Sequence, residues 1–528
     1  MTAKRDIVVV GGGVFGTTAA LELAHRRWRV RLVDRGAVPH ADASSTDVSK
    51  MIRMDYGADV FYHELAEVSL EGWERWNHDW PRPLYHPEGF LILSAGPMRP
   101  GGFEYESHRV LLERGYSPGR LTAATLARRF PKWRPERYPD GYVSPRGGWA
   151  ESGAVVAHLA ELCREAGVEM IEATVAGLAS RGSHAAGVEI QARPTAGGAV
   201  ETLSADHVLV CAGAWTPELL PETAGLLTPV AQPVLHFGVE DPDEYRGPSF
   251  PPFAADIAGS GWYGFPALSD GRLKLGHHGP GRVAPPDGRG VVGDDHVRKA
   301  RAFLAAALPS LADAPLVGSR VCMYCDSRDG DLLIAGLPGA EALTVASGGS
   351  GHGFKFAPAL GGIIADAVEG RTNRWLPRFA WRSPSSDRKE EARLLTQIGK
   401  RRMKFIHTED APQPAGHYSQ AVVYGGVVYV AGMLGHDPAN PDADIGGPAE
   451  QARQALKNVE SVLTAAGSSL SSVVRMTIYV SDVEHWGPVN QVYAEVMGDH
   501  KPARAIVPVK SFRDPYVLEI VATAALGR

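Results

Sequence analysis

Gly11, Gly13 and Gly16 form the pattern G-x-G-x-x-G in DIVVVGGGVFGTTAALELAHRRWRVRLVDRG, and Asp34 ends the apolar run that follows. Glycines at these places allow a tight turn, close approach of backbone to a pyrophosphate, and close packing of a helix on a strand. The helix then aims its first amides at the phosphate charge, and Asp34 is placed to bind a ribose hydroxyl. The implied chemistry is that of a dinucleotide site; the motif does not separate FAD from NAD. Two further groupings carry less. Cys322 and Cys325 are spaced C-x-x-C, but no second pair completes a zinc site. His277 and His278 are adjacent in GRLKLGHHG, and neighbours on a strand point to opposite faces, so no metal is expected. Near the other end, Arg504 stands between a proline turn and an alternating strand in DHKPARAIVPVKSF.

The elements that would position these residues follow from pattern. Ile7 to Val10 is a continuous apolar run, as in a strand buried on both faces of a parallel sheet. ADHVLVCAGAWTPELL is a second such strand, ended by small residues with Trp215 just after. ASGGSGHGFKFAPALGGIIADAVEG is a glycine-rich loop entering a helix, with Leu360, Ile363, Ile364, Ala367 and Val368 on one face. From Arg371 to Arg402 the composition turns charged, with prolines and serines, as in a connection between domains. A new pattern begins at Met403. AVVYGGVVYVAGM is two β-runs about Gly425 and Gly426. PAEQARQALKNVESVLTAAG is an amphipathic helix with Pro448 at its start and Gly467 past its end. The order β-β-β-α-β-α-β-β predicts one sheet with two helices on one side. The expected boundaries are 1–385 for the first part, 386–402 for the linker and 403–528 for the second part.

The 528 residues are enough for several domains, and 44% hydrophobic content supplies packed cores. A net charge of −6 argues against a nucleic-acid or membrane-surface partner. Four cysteines in so long a chain are not a disulfide framework. With no signal-peptide pattern and no long apolar run, a soluble cytoplasmic enzyme acting on a small molecule is expected.

VCMY, SGHGFKF and the N-terminal fingerprint together resemble the monomeric sarcosine oxidase group, which includes N-methyltryptophan, pipecolate and fructosyl-amino-acid oxidases. The resemblance spans roughly residues 5 to 385. It implies an α/β Rossmann-type FAD domain joined to a mixed β-sheet substrate domain. It also implies a cofactor set of Gly11, Gly13, Val14, Phe15, Gly16, Asp34, Arg35, Ser45, Cys322, Gly351, Gly353, Phe354 and Lys355. Cys322 matches the family cysteine that bonds the flavin, with Cys325 as a competitor and a buried structural cysteine as the plainer alternative. Arg53 and Lys355 match the pair that clamps the substrate carboxylate. Lys274 matches the lysine that promotes dioxygen reduction, and His278 lines the site. Lys50 stands where the sarcosine oxidase branch has arginine, which is closer to the fructosyl-amino-acid and saccharopine-type branch and implies a bulkier substrate.

GHYSQAV, VYVAGM, ARQALKNVESVLTAAG and PARAIV resemble the Rid (YjgF-type) family, an α+β chorismate-mutase-like fold. Arg504, Glu519 and Tyr418 match its imine-hydrolysing residues, and the family's homotrimers place their sites between subunits. Arg504 would grip a carboxylate and Glu519 would activate water. The two resemblances imply a bifunctional chain: an FAD-dependent amine or amino-acid oxidase releasing hydrogen peroxide, and a hydrolase for the imine it makes. A silent trimerisation module, or a dehydrogenase that keeps its imine, are the alternatives.

Overall fold

Ile7, Val8 and Val9 are wholly buried in the strand Asp6–Val10, as their unbroken apolar run requires. In the computed structural model, which describes residues 5–180, 188–382, 404–424 and 426–526, that strand lies inside an eight-stranded sheet. Parallel strands flank it: Arg29–Asp34 on one side and His207–Val210 on the other. The helix Val14–His25 leaves the glycine turn and packs on the helix Ala357–Glu369. The approach is close enough that a Cβ on Gly361 would lie 2.6 Å from the Thr18 carbonyl oxygen.

A second sheet of nine strands carries the other half of this unit. Its spine is the antiparallel ladder of Leu227–Gly238 with Leu316–Ser327, and Arg272–His277 pairs on the far side of the same strand. An aromatic core of Trp133, Phe250, Phe253 and Phe303 lies behind it. The chain enters this sheet, leaves it and returns several times, so residues distant in sequence meet at the seam between the sheets.

The chain divides into two compact units, Met1–Leu394 and Leu395–Arg528. The expected linker, 386–402, lies outside the described residues. The second unit has the anticipated element order, with strands arranged Lys404–Ile406, Ala421–Tyr424, Val427–Met433, Leu518–Ala525, Val473–Val480, Ala503–Pro508. All neighbours are antiparallel except the last pair. The helices Pro448–Ala466 and Trp486–Met497 share one core with Val428, Met476, Ile478 and Ile520. Ala452, Ala455, Leu456, Val459, Val462 and Leu463 are all buried, the stripe their spacing predicts. Gly467 ends the first of these helices at φ 83°, where a side chain would be strained. No helix among the described residues is long and apolar enough to cross a membrane.

Candidate functional site

The glycine turn opens a cavity of about 370 Å³, lined by Gly11, Gly13, Val14, Phe15, Asp34, Arg35 and Ser45 from the start of the chain. Gly351, Gly353 and Phe354 close it from the loop before the Ala357–Glu369 helix. Gly11 has φ 104°, and a Cβ there would meet the Cys211 carbonyl oxygen at 2.5 Å. Gly16 does not line the cavity; a Cβ on it would fall 1.8 Å from the Gly11 oxygen, so it sets how closely turn and helix pack. The amide of Val14 donates to Ser45 Oγ at 3.1 Å. Asp34 Oδ2 accepts from the Gly12 amide at 2.6 Å, while its buried Oδ1 has no partner. Burial lifts this carboxyl above the usual carboxylate range. An unpaired acceptor in the wall of a glycine-edged cavity suits a ribose hydroxyl, so the residues present fit the adenosine part of FAD.

A second cavity, of about 70 Å³, shares Lys50, Tyr324, Gly351 and Phe354 with the first. Into its wall come Arg53, Lys274, His278 and Lys355, together with Phe90, Phe103 and Ile257. Arg53 is buried, with its guanidinium 5.2 Å from the Tyr56 ring and 5.7 Å from Phe103. Its Nη1 has no hydrogen-bond partner. Lys355 donates to Tyr56 Oη at 2.8 Å and to the His352 carbonyl at 3.0 Å. His278, just past the end of the Arg272–His277 strand, lies beside Tyr324 and Tyr263, whereas His277 turns to Trp262 and the Ser260 carbonyl.

Lys274 is 2% exposed and donates to Asp47 Oδ2 and to the Ser49 carbonyl, each at 2.6 Å. Lys50 reaches the same Asp47 oxygen at 3.0 Å. Burial pulls the Lys274 ammonium down to about 8, against the pull of Asp47. Burial opposes ionisation of Asp47 too, but Lys274 and Lys50 outweigh it and hold the carboxyl well below its usual range. The sequence reading missed Asp47, because an acid in the polar run STDVSK looks like a solvated surface residue. It also missed Tyr56 and His352, which hold Lys355; only the fold brings those two beside it.

The two cysteines fall on opposite faces of the Leu316–Ser327 strand. Cys325 reaches the wall of the larger cavity and accepts from Ser347 Oγ at 3.3 Å. Burial pushes its thiol up to about 11, which keeps it protonated. Cys322 is buried with Val230, Val234 and Tyr324, its Sγ 3.9 Å from the Ser44 carbonyl and within the electrostatic reach of Lys50 and Lys274.

In the second unit the expected trio is spread out. Arg504 pairs in register with the buried Met476, so it faces the helices, its guanidinium 4.5 Å from the Tyr493 ring. Glu519 pairs with Tyr479 between the buried Leu518 and Ile520, so it faces the open side of the sheet, against Gly432. Tyr418 is 54% exposed, its Oη accepting from the Ala415 amide at 3.3 Å. Among the described residues no hydrogen bond or ion pair joins these three. The open face carries a row of paired side chains, Phe405, Val422, Tyr429 and Thr523, across four strands.

Comparison with known proteins identifies the families of both parts of the chain. Residues 6–367 match the model of the FAD dependent oxidoreductase family, and residues 408–526 match that of the Endoribonuclease L-PSP family, to which Rid proteins belong. A monomeric sarcosine oxidase from Bacillus sp. (strain B-0618) is 29% identical over 73% of this chain and 97% of its own. An N-methyl-L-tryptophan oxidase from Salmonella agona (strain SL483) is 29% identical over 70% and 96%. Among solved structures, fructosamine oxidase (Amadoriase II) from Aspergillus fumigatus superposes with a TM-score of 0.63 at 23% identity, over 75% of this chain and 94% of that one. The last likeness is one of fold.

Proposed function

The chain belongs to the FAD dependent oxidoreductase family, and from that premise we propose that it oxidises the C–N bond of a carboxylate-bearing amine or amino acid and hydrolyses the imine that results. The observation that carries this is Arg53: a buried guanidinium with an unpaired Nη1, beside Lys355, in a cavity that adjoins the nucleotide cradle. A carboxylate is the natural partner for that fork, with Lys355 as a second point of charge. FAD, when bound, supplies the two-electron acceptor. Arg53 and Lys355 fix the substrate so that its amine carbon faces the shared wall of the cavities. Lys274 places a cation in the wall of the smaller cavity, beside the place where negative charge would develop as dioxygen takes up electrons. The two electrons and two protons removed from the C–N unit leave as hydrogen peroxide. Likeness to oxidases named for sarcosine and N-methyltryptophan supports an amine substrate. A cavity of about 70 Å³ bounded by Phe90, Phe103 and Ile257 favours a compact apolar group over the bulkier substrate that Lys50 suggests. Cys325 lines the larger cavity but burial holds its thiol protonated, so Cys322, buried within reach of Lys50 and Lys274, is the better candidate to bond the flavin.

In the second unit, Arg504 would hold the imine's carboxylate and Glu519 would direct water at its carbon, giving a keto acid and ammonia or a released amine. A single copy keeps these two residues on opposite faces of the sheet, so a neighbouring copy must complete the site. A homotrimer in which the edge strand Ala503–Pro508 of one copy meets the open sheet face of the next would meet that need. One observation favours a second reading, in which this unit only brings copies together: Arg504 is already stacked on Tyr493. Peroxide release from the purified protein is the test, against primary, N-methyl, cyclic and fructosyl amino acids. Failure of the whole panel with flavin in place would overturn the oxidase reading.

A further inference from the structure

We propose that Asp47 is the positioning residue for dioxygen reduction: its buried carboxylate fixes Lys274 as an ammonium in the wall of the smaller cavity, which adjoins the nucleotide cradle. The inference rests on the oxidase reading above and adds a residue that acts only through another. Asp47 lines neither cavity, and its Oδ2 is taken up by the two lysines. Its own placement is rigid. Oδ1 accepts from the Val48 amide at 2.8 Å, and its carbonyl accepts from Ser152 Oγ at 2.8 Å and from the Gly153 amide at 2.9 Å. Oδ2 then receives Lys274 at 2.6 Å and Lys50 at 3.0 Å.

The physical need is specific. A cation aids dioxygen reduction only if it is charged before the charge on oxygen develops, yet burial drives a lysine toward its neutral form. The titratable and charged groups around Lys274 are Asp47, Lys50, Cys322 and His236, with Arg320, Tyr263 and His278 beyond them. Lys50 presses Lys274 to lose its proton, and Asp47 is the sole carboxylate of the set opposing that loss. His236, opposite Lys274 in the strand pair, is pushed down to about 4 by burial and is neutral at physiological pH. A merely structural ion pair would need one lysine; a second one on the same oxygen makes the charge of Lys274 depend on the balance of the two.

The test uses the full-length, FAD-loaded protein and no amine. The flavin is reduced with dithionite under argon and mixed with aerated buffer, and its reoxidation is followed across pH. Wild type should reoxidise much faster than free FAD at neutral pH and slow as pH rises through the Lys274 titration. Asp47→Asn should move that fall to lower pH and cut the rate at a fixed pH inside the window about tenfold for each pH unit of displacement. Lys50→Met should move the fall to higher pH, an opposite sign that loss of packing would not produce, and it keeps the test standing if Asp47→Asn does not hold FAD. Fast wild-type reoxidation with neither fall displaced overturns the role of Asp47 alone. Wild-type reoxidation no faster than that of free FAD overturns the oxidase reading, and the inference with it.

Discussion

Arg53 is held by rings and left one donor short, and both features bear on what replacing it would do. The Tyr56, Phe90 and Phe103 rings keep the charge in place without consuming its hydrogen bonds. Truncating one partner of a buried charge pair costs about 2–5 kcal/mol. Arg53→Ala should therefore lower kcat/KM at least roughly 25-fold, chiefly through KM, in a peroxide assay against substrate concentration. Arg53→Lys should recover part of the loss, because it restores charge but not the planar fork. An unchanged KM in the alanine variant would exclude Arg53 as the carboxylate clamp. Cys322 carries the second prediction at this scale. After acid precipitation, flavin should stay with the pellet for wild type and Cys325→Ala, and pass to the supernatant for Cys322→Ala. Flavin in the wild-type supernatant would rule out the covalent bond. The residues whose types announce chemistry were legible in the sequence. Lys50, Arg53, Lys274, His278 and Lys355 are separated by up to 305 positions (Lys50 to Lys355), and the fold brings all five to one cavity. Asp47 was not legible, because what distinguishes it is burial between two lysines, and its neighbours in sequence carry no trace of that.

At the scale of elements, the helix Val14–His25 lies tightly against the glycine turn. With its Cβ 1.8 Å from the Gly11 oxygen, Gly16→Ala forces the helix away from the turn that must meet the pyrophosphate. It should cost about 1–3 kcal/mol, as overpacking does, and the purified protein should show a reduced flavin-to-protein absorbance ratio. Wild-type flavin content and melting temperature would mean that the turn is not the cofactor's cradle. The nearby Gly362→Ala is a control, since a Cβ there meets nothing within 4 Å. Period and caps made these helices legible, including Pro448–Ala466 with its stripe and Gly467. The facing of Arg504 and Glu519 was not legible. It depends on the register of three neighbouring strands and on the irregularity between Val473 and Arg475. Pattern locates strands without stating which residues stand opposite one another.

For the whole molecule, oligomeric state and the second activity are one question. The open face of the second sheet presents Phe405 and Tyr429, 63% and 49% exposed, with Val422 and Val521 between polar neighbours. An apolar face of this kind marks an interaction surface, and closed cyclic symmetry is the economical way for identical copies to cover it. Light scattering should give about three times the chain mass of 56.5 kDa. Tyr429→Glu should lower that mass toward one chain while the first unit still releases peroxide. If imine hydrolysis needs Arg504 from one copy and Glu519 from the next, the same variant should also lose it. Keto acid would then appear only at the rate of spontaneous imine decay, as it should in Arg504→Ala, which leaves the open sheet face unchanged. A monomer that still hydrolyses imine in an Arg504-dependent way would defeat the shared site. Coupling of the two activities would draw its value from covalent tethering, because a linked second site meets a short-lived imine at high effective concentration. A trapping amine such as semicarbazide, added to wild type during turnover, should therefore capture less imine than it captures from Arg504→Ala at equal peroxide output.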